Sequence, residues 1–188
     1  MKMQKVLALC KKRKQATIFE LNGEQWVHTG MAYYKLDGMP VIDKESEFCA
    51  LAGMDPDKSA VQMDEAPALI EFDDYTADDA TAREMKVDFC LGDSRLHGFQ
   101  TEEDVITVLS DYLSMFSGND LVFQLRKIET LTGKIARYIC VLEGFVLKAC
   151  IFETKFTSNP YEENAIEDIK ALCEELKEQI EDDAKKVK

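Results

Sequence analysis

Histidine is scarce in this chain, two in 188 residues, and tryptophan occurs once. With only His28 and His97 to act as general base, a Ser–His or Cys–His nucleophilic pair has few ways to be built, and there is no GxSxG elbow. Glycine (nine) and proline (four) are few and dispersed. Neither GxxxxGK[ST] nor GxGxxG occurs, which removes the common phosphate-binding loops. The lone "LTGK" at 131–134 is flanked by strand-like sequence, so it reads as a hairpin turn. The six cysteines, at 10, 49, 90, 140, 150 and 173, form no CxxC pair, and without clustered Cys and His ligands a structural zinc is not expected. The acids at 73, 74, 78, 79 and 84 lack the central glycine and the alternating spacing of a calcium loop. No metal or other cofactor is expected.

Long apolar runs are missing as well. No segment approaches the ~20 residues of a membrane-spanning helix. "MKMQKVLALCKKRK" opens like an export signal, but its apolar run at 6–10 is five residues long and four cations follow it. The expectation is a cytoplasmic protein with free, buried thiols and no membrane partner.

What is present is acid. The net charge is −13, and apolar residues make up 46% of the chain. That composition supports a sizeable core in a solvated shell rather than disorder. The charge is segmented. Residues 1–35 hold seven Lys/Arg against two Glu, and residues 37–82 hold thirteen acids against two Lys. The densest stretch, "MDEAPALIEFDDYTADDA" at 63–80, carries seven carboxylates and no cation. Its apolar Leu69, Ile70, Phe72 and Tyr75 can anchor it to a core.

Periodicity supplies the elements. A short basic helix is expected over 3–14. Asn22-Gly23, between two β-rich runs, marks a hairpin of residues 17–21 and 25–29, because both positions tolerate positive φ. "MAYYKLDGMP" offers a third strand. "DKESEFCALAGMDP" reads as a helix capped by Asp43 and stopped at Gly53. Residues 57–68 read as a connection, "ALIEFDDY" as a strand, "EMKVDFCL" as a strand and "GDSRLHGF" as turn. "TEEDVITVLSDYLSMF" reads as a helix, with Thr101 and Asp104 in cap spacing and its β-branched run as counter-evidence. Residues 121–153 read as a three-strand meander turning at Thr132-Gly133 and Glu143-Gly144. From Asn159 and Pro160 an amphipathic helix is expected, with a narrow seam of Ile166, Ile169, Cys173, Leu176 and Ile180 suited to packing on the sheet or to homodimerisation.

The expected fold is therefore α+β: an antiparallel sheet of N-terminal hairpin plus C-terminal meander, with two to four packed helices. One domain covers 1–158 and the amphipathic helix 159–188. The expected function is that of a non-enzymatic intracellular interaction protein. Its acidic surface, Asp64, Glu65, Glu71, Asp73, Asp74, Asp78 and Asp79, would meet a protein with a basic surface, in the sharpest form as a nucleic-acid mimic blocking a nucleic-acid-handling protein. Two alternatives stand beside it. One is a nucleic-acid tether or sliding-clamp-like scaffold. It would use Lys11, Lys12, Arg13 and Lys14 with Trp26, Tyr33 and Tyr34 nearby, and needs those cations on one face with Arg126, Lys127, Lys134 and Arg137. The other is a small enzyme with an unrecognised site, which needs a cleft holding His28 or His97 against a thiol or several acids.

Overall fold

The computed structural model describes residues 1–77, 79–118, 120–130, 132–154 and 171. Strand dominates them. The order is α1 (Met3–Arg13), β1 (Gln15–Leu21), β2 (Glu24–Thr29), β3 (Ala32–Lys35), α2 (Glu45–Ala52), β4 (Ala60–Met63), β5 (Ala80–Thr81) and β6 (Arg83–Leu91). Then come β7 (Ser94–Gln100), β8 (Val105–Leu109), a 3-10 turn (Ser110–Leu113), β9 (Leu121–Glu129), β10 (Ile135–Glu143) and β11 (Val146–Phe152). Eight strands form one sheet in the order β4-β1-β2-β3-β11-β10-β9-β5, and β6-β7-β8 form a second. The eight-strand sheet is mixed: β4 runs parallel to β1, with Gln15 opposite Ala60 and Ile18 opposite Met63.

The strands bury both faces of the large sheet, and alternation assigns the side chains. On one face Ala16, Ile18, Val27, Tyr34, Ile139, Val141, Ala149 and Ile151 meet Val6 and Cys10 of α1, Phe48 and Ala52 of α2, and Phe99, Ile106 and Val108 of the small sheet. On the other face Phe19, Trp26, Tyr138, Cys140, Leu142, Leu147 and Cys150 form a second cluster, packed by Ala66, Ile70 and Phe72. No helix covers this second cluster among the described residues. The irregular chain between β4 and β5 does.

Several expectations are corrected here. The sheet is not a purely antiparallel assembly of hairpin and meander with two to four helices. It is a larger mixed sheet that also recruits β4 and β5, backed by a second sheet, and only α1 and α2 are defined as helices among the described residues. Residues 101–116 are not a helix. Val105, Ile106, Val108 and the intervening Thr107 are all buried, and burial on both sides of a β-branched run suits a sandwiched strand. The cap-spaced pair closes a turn instead. Asp104 N donates to Thr101 Oγ1 at 3.1 Å, and Thr101 Oγ1 donates to Asp104 O at 2.8 Å, within the β7–β8 connection. "GDSRLHGF" is mostly strand β7. Its Gly98 serves close approach rather than a turn, since a Cβ there would lie 3.2 Å from Met85 Sδ. Residues 57–68 contain β4, and "ALIEFDDY" is no strand. Asp43 does not cap α2. Lys44 holds the N-cap position, and Asp43 N donates to Glu47 Oε2 at 3.1 Å. The expected helix over 159–188, with Ile166, Ile169, Cys173, Leu176 and Ile180, lies outside the described residues apart from Ala171.

The Asn22-Gly23 turn has φ of 54° and 78°, the double positive φ of a tight hairpin, and joins β1 to β2 in register from Leu21–Glu24 to Thr17–His28.

Candidate functional site

Residues 64–77 form a strap across the second face of the large sheet. It leaves β4 with Asp64 N donating to Ile18 O at 2.9 Å and reaches β5 next to Ala82, whose N–H donates to Phe123 O at 3.0 Å. Apolar side chains hold its middle. Phe72 lies 4.7 Å from Trp26 and 5.6 Å from both Phe19 and Tyr33, ring centroid to centroid. Ile70 and Phe72 turn inward while Glu71 and Asp73 turn outward. The chain thus keeps a strand's alternation without a ladder.

Its backbone is satisfied by side chains of the sheet. Arg126 of β9, with its side chain 3% exposed, does most of this. One guanidinium nitrogen donates to Glu71 O at 3.1 Å and Asp73 O at 3.0 Å, the other to Asp74 O at 3.1 Å, and Nε to Asp79 Oδ2 at 2.7 Å. Gln124 Nε2 donates to Thr76 O at 2.6 Å, and Glu71 N donates to the Tyr138 hydroxyl at 3.4 Å. Burial pushes the Tyr138 hydroxyl far above its ordinary range, so it remains a neutral partner. A planar fork of five donors suits this work, because it can bind several carbonyls and a carboxylate at once.

The seven predicted acids therefore divide. Asp64, Glu65, Glu71 and Asp73 are exposed, and among the described residues no Lys or Arg pairs with them. Asp79 is consumed by Arg126, and Asp74 Oδ1 accepts from Leu147 N at 2.8 Å. Asp78 lies outside the described residues. At the start of the strap Thr17, Phe19, His28, Tyr33, Gln62, Asp64, Glu65 and Pro67 line an open cleft of about 190 Å³.

His28 lines that cleft together with Thr17, Asp64 and Glu65, the kind of lining the enzyme alternative asks for, but among the described residues the hydrogen bond of its ring goes to a backbone carbonyl rather than to a nucleophile. His28 Nε2 lies 3.0 Å from Gly30 O, and its ring stacks on Tyr33 at 4.4 Å. Burial lowers its pKa, so it is neutral near pH 7. His97 is flanked on both nitrogens by carboxylates: Nδ1 is 2.5 Å from Asp88 Oδ1, and Nε2 is 3.0 Å from Glu84 Oε1, off a hydrogen-bonding direction. A register shift between Glu84 and Asp88 brings both acids to it. A nucleophile would have to occupy the place Glu84 holds. The one exposed cysteine among the described residues, Cys90, pairs across the ladder with Arg95. Among the described residues no group of three His, Cys, Asp or Glu is arranged to hold a metal.

The basic patch sits at the C-terminal end of α1, on the opposite side of the sheet from the strap. Its cations dock the helix. Lys12 Nζ is 2.6 Å from Asp111, and the Arg13 guanidinium lies 5.2 Å over the Tyr112 ring. Lys11 approaches the backbone at Gly53, and Lys14 ends the helix at φ 53°. Trp26 and Tyr34 are buried, so they cannot stack on bases beside these cations. The shared cationic face that a clamp requires is not formed. Tyr138 opposes Arg126 and Arg137 opposes Lys127, so alternation puts Arg126 on one face and Lys127 with Arg137 on the other. Each is engaged by acids. Lys127 meets Glu103 at 2.6 Å, and Arg137 meets Asp104 at 2.7 Å and Glu153 at 2.6 Å.

Comparison with protein-family models, with curated proteins and with solved structures found no match. No helix among the described residues is long and apolar enough to cross a membrane.

Proposed function

We propose that this is a non-enzymatic, intracellular interaction protein whose strap presents an acidic surface to a protein with a basic one. The observation that carries the reading is how the strap is held. Arg126, Gln124 and the apolar side chains grip its carbonyls and its inward residues, and Asp64, Glu65, Glu71 and Asp73 stay in solvent without cationic partners among the described residues. Crowding like charges costs stability, so rigid support for uncompensated acids favours a use for them. In its sharpest form the surface stands in for a nucleic-acid backbone in the cationic groove of a nucleic-acid-handling protein. The buried thiols fit a reducing compartment.

Displacement tests this. A labelled duplex is bound to each of several purified proteins with cationic nucleic-acid grooves, and this protein is titrated in. Displacement at about 0.05 M salt that fades toward about 0.5 M is expected, because screening shortens the reach of surface charge. A variant with Asp64→Asn, Glu65→Gln, Glu71→Gln and Asp73→Asn should lose it. If basic proteins are bound but no duplex is displaced, the mimic form falls. If none is bound at low salt, the whole reading falls.

A further inference from the structure

We infer that Tyr75 and Phe145 form the apolar anchor of a docking surface for an arginine-rich segment of a partner protein; this rests on the acidic-surface reading above. Phe145 is 70% exposed and Tyr75 43%. They are one patch. The Tyr75 and Phe145 rings meet edge to face with centroids 5.2 Å apart, and Tyr75 N donates to Phe145 O at 2.9 Å. Leu147 N donates to Asp74 Oδ1 at 2.8 Å, so the strap is stitched to the β10–β11 turn on both sides of the aromatic pair. The rings are thus presented on a fixed backbone, which lowers the ordering cost of binding. The rings pack on each other, yet most of the Phe145 surface stays open to solvent, more than that contact alone requires.

The surroundings select the occupant. Asp73 and Asp74 precede Tyr75, Glu143 precedes the turn, and Gly144 N donates to Asp120 O at 3.1 Å. Of these, Glu143 is held by the chain's amino group, and the nearest cation on β11, Lys148, is held by Asp37. Asp74 is engaged by Leu147 N, which leaves Asp73, two residues before Tyr75 and exposed, as the acid beside the rings; an exposed aromatic face next to such a carboxylate suits a guanidinium, which can stack on a ring and pair with an acid at once. Lysine, a compact hydrated charge, gains less from the rings. Nucleic acid, an anionic bilayer and a second copy of this chain would each bring negative charge to a molecule of net charge −13.

The test uses a labelled oligo-arginine peptide and an oligo-lysine peptide of equal length, titrated against the whole protein, with duplex DNA and anionic vesicles as further probes. Phe145→Ala and Tyr75→Ala should each weaken oligo-arginine binding by about 3-fold or more while changing oligo-lysine binding less. Unchanged far-ultraviolet dichroism and an unchanged urea midpoint check that the variants fold. If Phe145→Ala and Tyr75→Ala bind oligo-arginine as the parent does, the anchor is refuted. If Asp73→Asn with Glu71→Gln still weakens binding in that case, the acidic reading survives alone. If those charge variants also bind normally, both fall. A dimer in sedimentation that Phe145→Ala dissolves, or tighter binding to DNA or vesicles than to oligo-arginine, would equally overturn the assignment.

Discussion

Replacing Arg126 by Met should release the strap. The guanidinium makes four hydrogen bonds to it, three to carbonyls and one to the Asp79 carboxylate, whose side chain is 18% exposed. Removing one member of a largely buried ion pair costs about 3–5 kcal/mol, because the remaining charge is left uncompensated. The strap can expose its carbonyls to water by lifting, so the low end, about 3 kcal/mol, is expected, and it should be spent locally. At about 1.4 kcal/mol per factor of ten, opening of the strap becomes more than about 100-fold more populated. Two assays read this directly. Hydrogen exchange of the amides at 71–77 should accelerate by that order, with the small sheet unaffected. Trp26 emission should shift as well, since Phe72 leaves its ring. Arg126→Lys should recover little, because an ammonium cannot reach three carbonyls and a carboxylate together. Adding Asp79→Asn to Arg126→Met should recover part of the loss by removing the orphaned charge. Exchange at 71–77 changed by less than about 3-fold in Arg126→Met would refute the clamp.

Three further outcomes are expected. Gly30 has φ +62°, and a Cβ there would sit 2.2 Å from the Tyr112 hydroxyl, so Gly30→Ala should cost about 2–4 kcal/mol in a urea titration; adding Tyr112→Phe, which deletes the colliding atom, should return part of it. His28 has a folded pKa below its ordinary 6.5 because burial disfavours the cation. As pH falls through 6.5 the unfolded chain takes up the proton first, so stability should fall with acid below about pH 6.5, by at most ~1.4 kcal/mol per pH unit from this group; His28→Gln should flatten that slope, and an unchanged slope would sink the assignment. Burial raises the Cys10 thiol to about 12 and pushes Cys150 well above its ordinary range, whereas Cys90 is exposed; of the five cysteines among the described residues, peptide-mapped alkylation near pH 8 should mark Cys90 first and spare Cys10, Cys49, Cys140 and Cys150 until urea unfolds the protein.

Local signals were legible where a turn or a period was strong. Asn22-Gly23 marked its hairpin, and the alternation of residues 121–152 marked β9 to β11. The sandwich was not legible, for a physical reason. Val105, Ile106, Thr107 and Val108 are buried on both faces, and an all-buried strand has no polar face to reveal a period of two. The cap-spaced Thr101 and Asp104 then spoke for a helix, though the same hydrogen bonds close a hairpin loop. β4 was hidden because its pairing with β1 is a long-range fact. Of the four apolar residues expected to anchor the acid-rich stretch, Ile70 and Phe72 pack on the sheet, whereas Leu69 and Tyr75 stay exposed and the stretch forms no strand. Its holder was not legible. Arg126 is one cation in "LVFQLRKIE", and nothing local tells it from Lys127. The one clue was its place on the apolar alternation of β9, opposite in phase to Lys127.

The eight-strand order also fixes when the sheet can close during synthesis. β11 sits between β3 and β10, so residues 32–34, paired with β2 on one side, wait for 149–151 before their other edge is paired. A ribosome that has released β1 to β4 has released half a sheet with β3 as a naked edge, bearing Ala32, Tyr33 and Tyr34. Such an edge templates addition of another strand. The growing chain therefore passes through a window in which its most adhesive surface is its own midline, and slowing translation between β3 and β11 should raise the yield of aggregate rather than of folded protein.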